Sequence, residues 1–124
     1  MKKSICAAIG AALVLGGPAG LAHADAKVEK GKARLVVKGK GLSVDRAGGW
    51  MDGHGTSVRA RLYAVRAGVR MEVTRWKDAT PVSAGVKKFS NVDWKLRGRR
   101  FSNGTWLCIE FNKTDDRPCA KIHR

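Results

Sequence analysis

With 124 residues the chain is long enough for one small domain around a single core, and too short for two. Its formal charge of +15 points to anionic partners and argues against a basic ligand.

The chain opens Met-Lys-Lys, continues with an apolar segment from Ile5 to Gly17, breaks at Gly17-Pro18 and reaches Ala22-His23-Ala24. A basic start, a short apolar stretch and a small-x-small site predict a secretory signal over residues 1–24, cut after Ala24 or alternatively after Ala26. The apolar run falls short of the about 20 residues that span a bilayer, so no membrane span is expected after cleavage. Removal of Lys2 and Lys3 leaves 23 basic against 10 acidic residues, a net charge of +13. It also removes Cys6, and the remaining pair, Cys108 and Cys119, is expected to form a disulfide in an extracellular, oxidising setting.

Residues 25–32 (DAKVEKGK) are polar and Lys-rich, and read as a flexible basic arm ahead of a single domain at 33–124. Ala33–Lys38 predicts a strand, Gly39-Lys40-Gly41 a break, and Leu42-Ser43-Val44 its resumption. Two glycine-rich loops flank Trp50 and Met51. Ser57–Arg66 and Val69–Trp76 alternate apolar and polar residues around Ala67-Gly68, which predicts a hairpin. Turning there sets Ala64 opposite Met71, Leu62 opposite Val73 and Tyr63 opposite Glu72, so the apolar faces agree. The same register sets Arg59 against Trp76 as a cation–π pair. Thr80-Pro81 reads as the start of a helical turn or loop, and Val92–Arg97 alternates as a further strand. Gly104–Cys119 closes the chain with a dense apolar strand, Trp106-Leu107-Cys108-Ile109-Glu110-Phe111, interrupted only by Glu110 and expected to be buried on both faces or nearly so, followed by a turn-rich loop. The expected fold is all-β, a small antiparallel sandwich or barrel of five to seven strands with a C-terminal disulfide hairpin.

No catalytic constellation stands out. Asp52-Gly53-His54 lacks a serine elbow, the two cysteines lack metal-ligand spacing, and Asp115-Asp116 lacks the alternating acidic ligands of a calcium loop. A non-enzyme without metal or cofactor is expected. The basic residues carry the functional signal: Lys27, Lys30 and Lys32 in the arm, Arg59 and Arg61 on a strand face, and Arg97, Arg99 and Arg100 in a loop. Arginine on strand faces suits bidentate contact with carboxylate or phosphate. The expected partner is an acidic macromolecule, either another secreted protein or an anionic cell-wall polymer. Nucleic acid is disfavoured by export and by the absence of a recognised binding motif.

The run Gly49-Trp50-Met51-Asp52-Gly53-His54-Gly55, followed by Val58–Tyr63 and the ending Gly104–Phe111 with Cys119, resembles small secreted one-disulfide proteins of filamentous actinobacteria. Within that group the chain is similar to the adaptor subunit of umbrella-shaped secreted toxin particles. The resemblance implies a linking role in an extracellular antibacterial complex, with the Lys-rich arm threading into a partner. Two alternatives stay open: a free-acting antimicrobial or envelope-binding protein, and an inhibitor that presents the Arg97–Gly104 loop to an extracellular protease.

Overall fold

A computed structural model describes residues 25–53 and 56–124. The expected signal segment at 1–24 and His54 lie outside them. The described residues form ten strands: β1 (Ala26–Lys30), β2 (Ala33–Lys40), β3 (Ser43–Asp52), β4 (Arg59–Arg66), β5 (Val69–Glu72), β6 (Lys77–Asp78), β7 (Thr80–Ala84), β8 (Lys87–Arg100), β9 (Thr105–Phe111) and β10 (Cys119–Ile122). They make two antiparallel five-stranded sheets. One runs β1-β2-β3-β8-β7; the other runs β10-β9-β4-β5, with β6 also on β4.

Strand alternation builds the sandwich. Ala33, Leu35 and Val37 of β2, Val44, Ala47 and Met51 of β3, and Val92 of β8 form one inner face. Ala60, Leu62 and Ala64 of β4, Leu107, Ile109 and Phe111 of β9, and Ala120 and Ile122 of β10 form the other. The two apolar layers bury each other, which makes the all-β fold stable without a helix.

The β4–β5 hairpin has the register its alternation predicts, with Tyr63 opposite Glu72 and Ala64 opposite Met71. Its turn uses φ 51° at Ala67 and 79° at Gly68, the paired positive angles of a tight two-residue hairpin. The expected Arg59–Trp76 pairing fails. Leu62 O accepts both Val73 N–H and Thr74 N–H, while Leu62 N–H donates to Thr74 Oγ1. This bulge lets the chain gain two residues, so Arg59 faces Asp78 and Trp76 moves to Arg61.

Two further expectations are corrected. Residues 25–32 are not a free arm: β1 pairs with β2 along its length, and Asp25 Oδ1 accepts the Gly39 N–H. Thr80–Ala84 is strand rather than helical turn, an edge strand paired with β8. Pro81 is tolerated there because an edge strand has one side free of ladder bonds. The strands exceed the expected five to seven because β1, β6 and β7 are solvated edge pieces. β6 is two residues long, β7 holds a single half-buried apolar residue, and the period of β1 rests on Ala26 and Val28 alone, too little pattern to mark a strand.

The N-terminal hairpin is clipped to the C-terminal loop. Asp116 Oδ2 accepts the Lys32 N–H at 2.9 Å and the Thr114 hydroxyl at 3.1 Å. That bond to Lys32, then the one to Thr114, holds the Asp116 carboxyl below the usual carboxylate range. Gly31 turns with φ 55°, and a Cβ there would run into the Asp116 carboxylate. Gly31→Ala should therefore cost about 1–3 kcal/mol in denaturant unfolding, with the accessibility of the β1–β2 hairpin to protease rising in parallel. An unchanged midpoint would show that the clip does not hold the hairpin.

Candidate functional site

On the sheet containing β9, the outward side chains come from alternate positions: Arg59, Arg61, Tyr63 and Val65 on β4, and Trp106, Cys108 and Glu110 on β9. Cross-strand register sets Trp106 beside Val65, Cys108 beside Tyr63 and Glu110 beside Arg61. Arg70 of β5 joins the row opposite Val65. Arg117 arrives from the loop closed by the Cys108–Cys119 disulfide, which bridges β9 and β10.

Glu110 organises this face. Its side chain is only 8% exposed, and three guanidiniums converge on it. Arg61 Nε and an Arg70 terminal nitrogen donate to Oε1 at 2.8 and 2.7 Å, and Arg117 meets Oε2 at 2.9 Å. Burial by itself would raise the Glu110 pKa. The hydrogen bonds from Arg61 and Arg70, with the charges of Arg117 and Arg70, outweigh it and hold the carboxyl below its ordinary value. Glu72 completes the network through Arg70 at 2.9 Å, and the Glu72 and Glu110 carboxylates together raise the Arg70 pKa.

Aromatic rings pack against the same cations. Arg61 lies 4.4 Å from the Trp76 ring centroid and Arg70 3.9 Å from that of Tyr63. Lys121 sits 5.8 Å from the Trp106 ring. Tyr63 is buried under its arginine, while Trp76 and Trp106 stay 38% and 43% exposed. The result is an outward face of arginine and tryptophan in which one buried carboxylate fixes Arg61, Arg70 and Arg117 in advance. Trp106 is thus outside the core, against the expectation of a strand buried on both faces. The opposite neighbour on its row, Val65, is only half-buried and offers no cover.

The structure does not gather the eight sequence-predicted cations into one patch. Only Arg61 belongs to the network above, where it serves the fold as much as any partner. Arg59 is exposed at the end of β4, and its backbone N–H donates to Asn112 Oδ1. Lys27 lies on the opposite sheet, 5.7 Å from the Trp50 ring. Lys30 and Lys32 flank the Asp116 clip. Arg97, with φ 55°, and Gly98 sit where β8 bulges, Arg99 packs on Phe101 and donates to Val73 O, and Arg100 faces Ser43. Sequence reasoning missed Glu110, Arg117 and Trp106 as parts of this face, and it gave Trp76 to Arg59 where the structure stacks it on Arg61. The available signal was Glu110 itself, a lone carboxylate inside an apolar strand, which needs cationic partners to be buried.

Among the described residues no three His, Cys, Asp or Glu side chains gather to hold a metal. Among the same residues no helix is long and apolar enough to cross a membrane. Compared with known proteins, the chain matches no protein-family model, no curated protein and no solved structure, so the reading of this face stands on its own geometry.

Proposed function

We propose that the protein is an exported, non-catalytic binding module that docks an acidic patch of another secreted protein on its arginine–tryptophan face, as a linking subunit of an extracellular antibacterial complex. One observation carries the reading: Arg61, Arg70 and Arg117 are held in place around Glu110 between the exposed rings of Trp76 and Trp106. Tryptophan, tyrosine and arginine dominate the energetics of protein interfaces. Side chains already ordered in the free protein lose little entropy on docking. Charge supports the choice of partner. Of the 23 lysines and arginines after residue 24, five arginines form ion pairs among the described residues (Arg34, Arg46, Arg61, Arg70 and Arg117), leaving eighteen outside such a pair. An acidic surface would be drawn to such a field, faster at low salt.

Affinity capture of the tagged protein from native culture fluid tests this. The wild type should co-purify a larger acidic chain in a salt-sensitive complex. A Trp76→Ala/Trp106→Ala variant should retain its melting temperature within a few degrees and lose at least tenfold in capture. Recovery of the bait alone, or full capture by the double variant, would reject the docking face.

A further inference from the structure

The sheet on the far side of the sandwich carries a depression that the arginine–tryptophan face does not explain. Its centre is Gly48 on β3. A Cβ at that position would lie 2.5 Å from Val92 O and 3.0 Å from Asp93 Cα, so β3 and β8 approach too closely for any side chain there. Two residues to either side on the same strand stand Arg46 and Trp50, and Val36 and Asp93 flank Gly48 on the neighbouring strands. The hollow measures about 430 Å³ and is open to solvent. That is within the range of small-ligand sites, about 300–1,000 Å³.

Its walls differ chemically. Trp50 offers a half-exposed indole at one end, and Val36 adds apolar surface beside the glycine floor. Asn91 adds an exposed side-chain amide with no partner among the described residues, two positions from Asp93 on the same strand face and opposite Trp50. Arg46 pairs with Asp93 at 2.7 Å, which neutralises the only carboxylate of the lining. Lys38 at the rim and Lys27 beside the Trp50 ring remain as surplus positive charge.

From this arrangement we infer that the depression binds an acidic sugar, a uronic acid carried on a glycan. The apolar C–H face of a pyranose suits an indole plane. Its hydroxyls suit an amide and a carboxylate held side by side, and its carboxylate suits Lys27 or Lys38. An acidic peptide strand fits less well. The floor is the face of β2, β3 and β8, where main-chain groups lie in the plane of the sheet and β3 is bonded to both neighbours, although β7 covers β8 only as far as Asn91. Recognition must run through side chains and the ring face. The site lies on the opposite side of the sandwich from Glu110 and does not depend on protein docking there.

Titration of the isotopically labelled protein with trigalacturonate, followed by NMR, tests the assignment. Maltotriose serves as the neutral sugar and triglutamate as an anion of equal charge. Saturable shifts centred on Val36, Gly48, Asn91 and the Trp50 indole are expected with trigalacturonate, with maltotriose and triglutamate each at least tenfold weaker. Trp50→Ala should weaken trigalacturonate at least tenfold while the spectrum stays dispersed. If that variant unfolds, the exposed substitutions Asn91→Ala and Lys38→Glu should each weaken it at least threefold. Shifts elsewhere, no saturable binding, equal binding of either control, or unaltered affinity in the folded variants would overturn the site. The Trp76/Trp106 capture experiment would be untouched by that failure.

Discussion

Replacing Glu110 with alanine is expected to destabilise the protein by about 2–4 kcal/mol in chemical denaturation. Removing one partner of a buried ion pair typically costs about 3–5 kcal/mol, because the other charge is left without compensation. Here the stranded charges are three guanidiniums that are 26%, 34% and 44% exposed, so water recovers part of the loss. Arg61, Arg70 and Arg117 would then repel one another, and the stacking of Arg61 on Trp76 and of Arg70 on Tyr63 should loosen with them. Tryptophan fluorescence should report that change below the unfolding transition. The isosteric Glu110→Gln tests the electrostatics alone. Glu110 titrates below its ordinary value in the folded state, so its contribution is complete above the unfolded carboxylate pKa, about 4.3, and is lost as pH falls through the folded value. Wild-type stability should therefore fall on the acid side from about pH 5 downward. The glutamine variant should show a shallower acid limb and a lower plateau at neutral pH. Asp116, also depressed, acts with the same sign. Identical pH profiles for the two proteins would mean that Glu110 is not the charge that holds the face.

Opening the Cys108–Cys119 bond is the second large perturbation. The two residues are eleven apart in sequence and directly opposed in the β9–β10 register. Cross-linking a loop of this length stabilises by roughly 3 kcal/mol in the chain-entropy model. The Cys108→Ser/Cys119→Ser variant should therefore melt roughly 10–20 °C lower for a domain of this size. The consequence reaches beyond the hairpin. Arg117, which meets Glu110, and Asp116, which clips the N-terminal hairpin, both lie inside the covalent loop. Hydrogen exchange should accelerate in β1 as well as in β10. Exchange that changes in β10 alone would show that the Asp116 clip is independent of the bridge.

Much of this architecture was legible in the residues. Clean alternation in Ser57–Arg66 and Val69–Trp76 specified a hairpin and its register as far as Glu72, because a slip of one residue would turn the buried side chains of β4 outward, but not the bulge that shifts the pairing beyond it. Two cysteines near the end of the chain specified a bridge, and the apolar density of Trp106–Phe111 marked the central strand of its sheet. The edge strands were not legible. Lys27, Lys30 and Pro81 read as arm or turn because a solvated edge strand needs only a neighbour's ladder, and that neighbour is known only after folding. Val69 and Met71 show the converse: they alternate like core residues yet are 62% and 50% exposed, since β5 lies at the free edge of its sheet.

The candidate face divides in the same way. Arg61 was visible as an outward cation from strand period alone. That it converges with Arg70 and Arg117 on Glu110 was decided by three separate chain segments meeting across β4, β5 and the disulfide loop. Composition and alternation by themselves determined the all-β class, the surplus of positive charge and the pairing of the last two cysteines, because each is a local or summed property of the chain. Which cations are neutralised, which tryptophans face solvent and where glycine hollows the opposite sheet were decided only by tertiary structure. Those outcomes depend on residues 7, 40 and 84 positions apart brought within hydrogen-bonding reach, a relation no local pattern encodes.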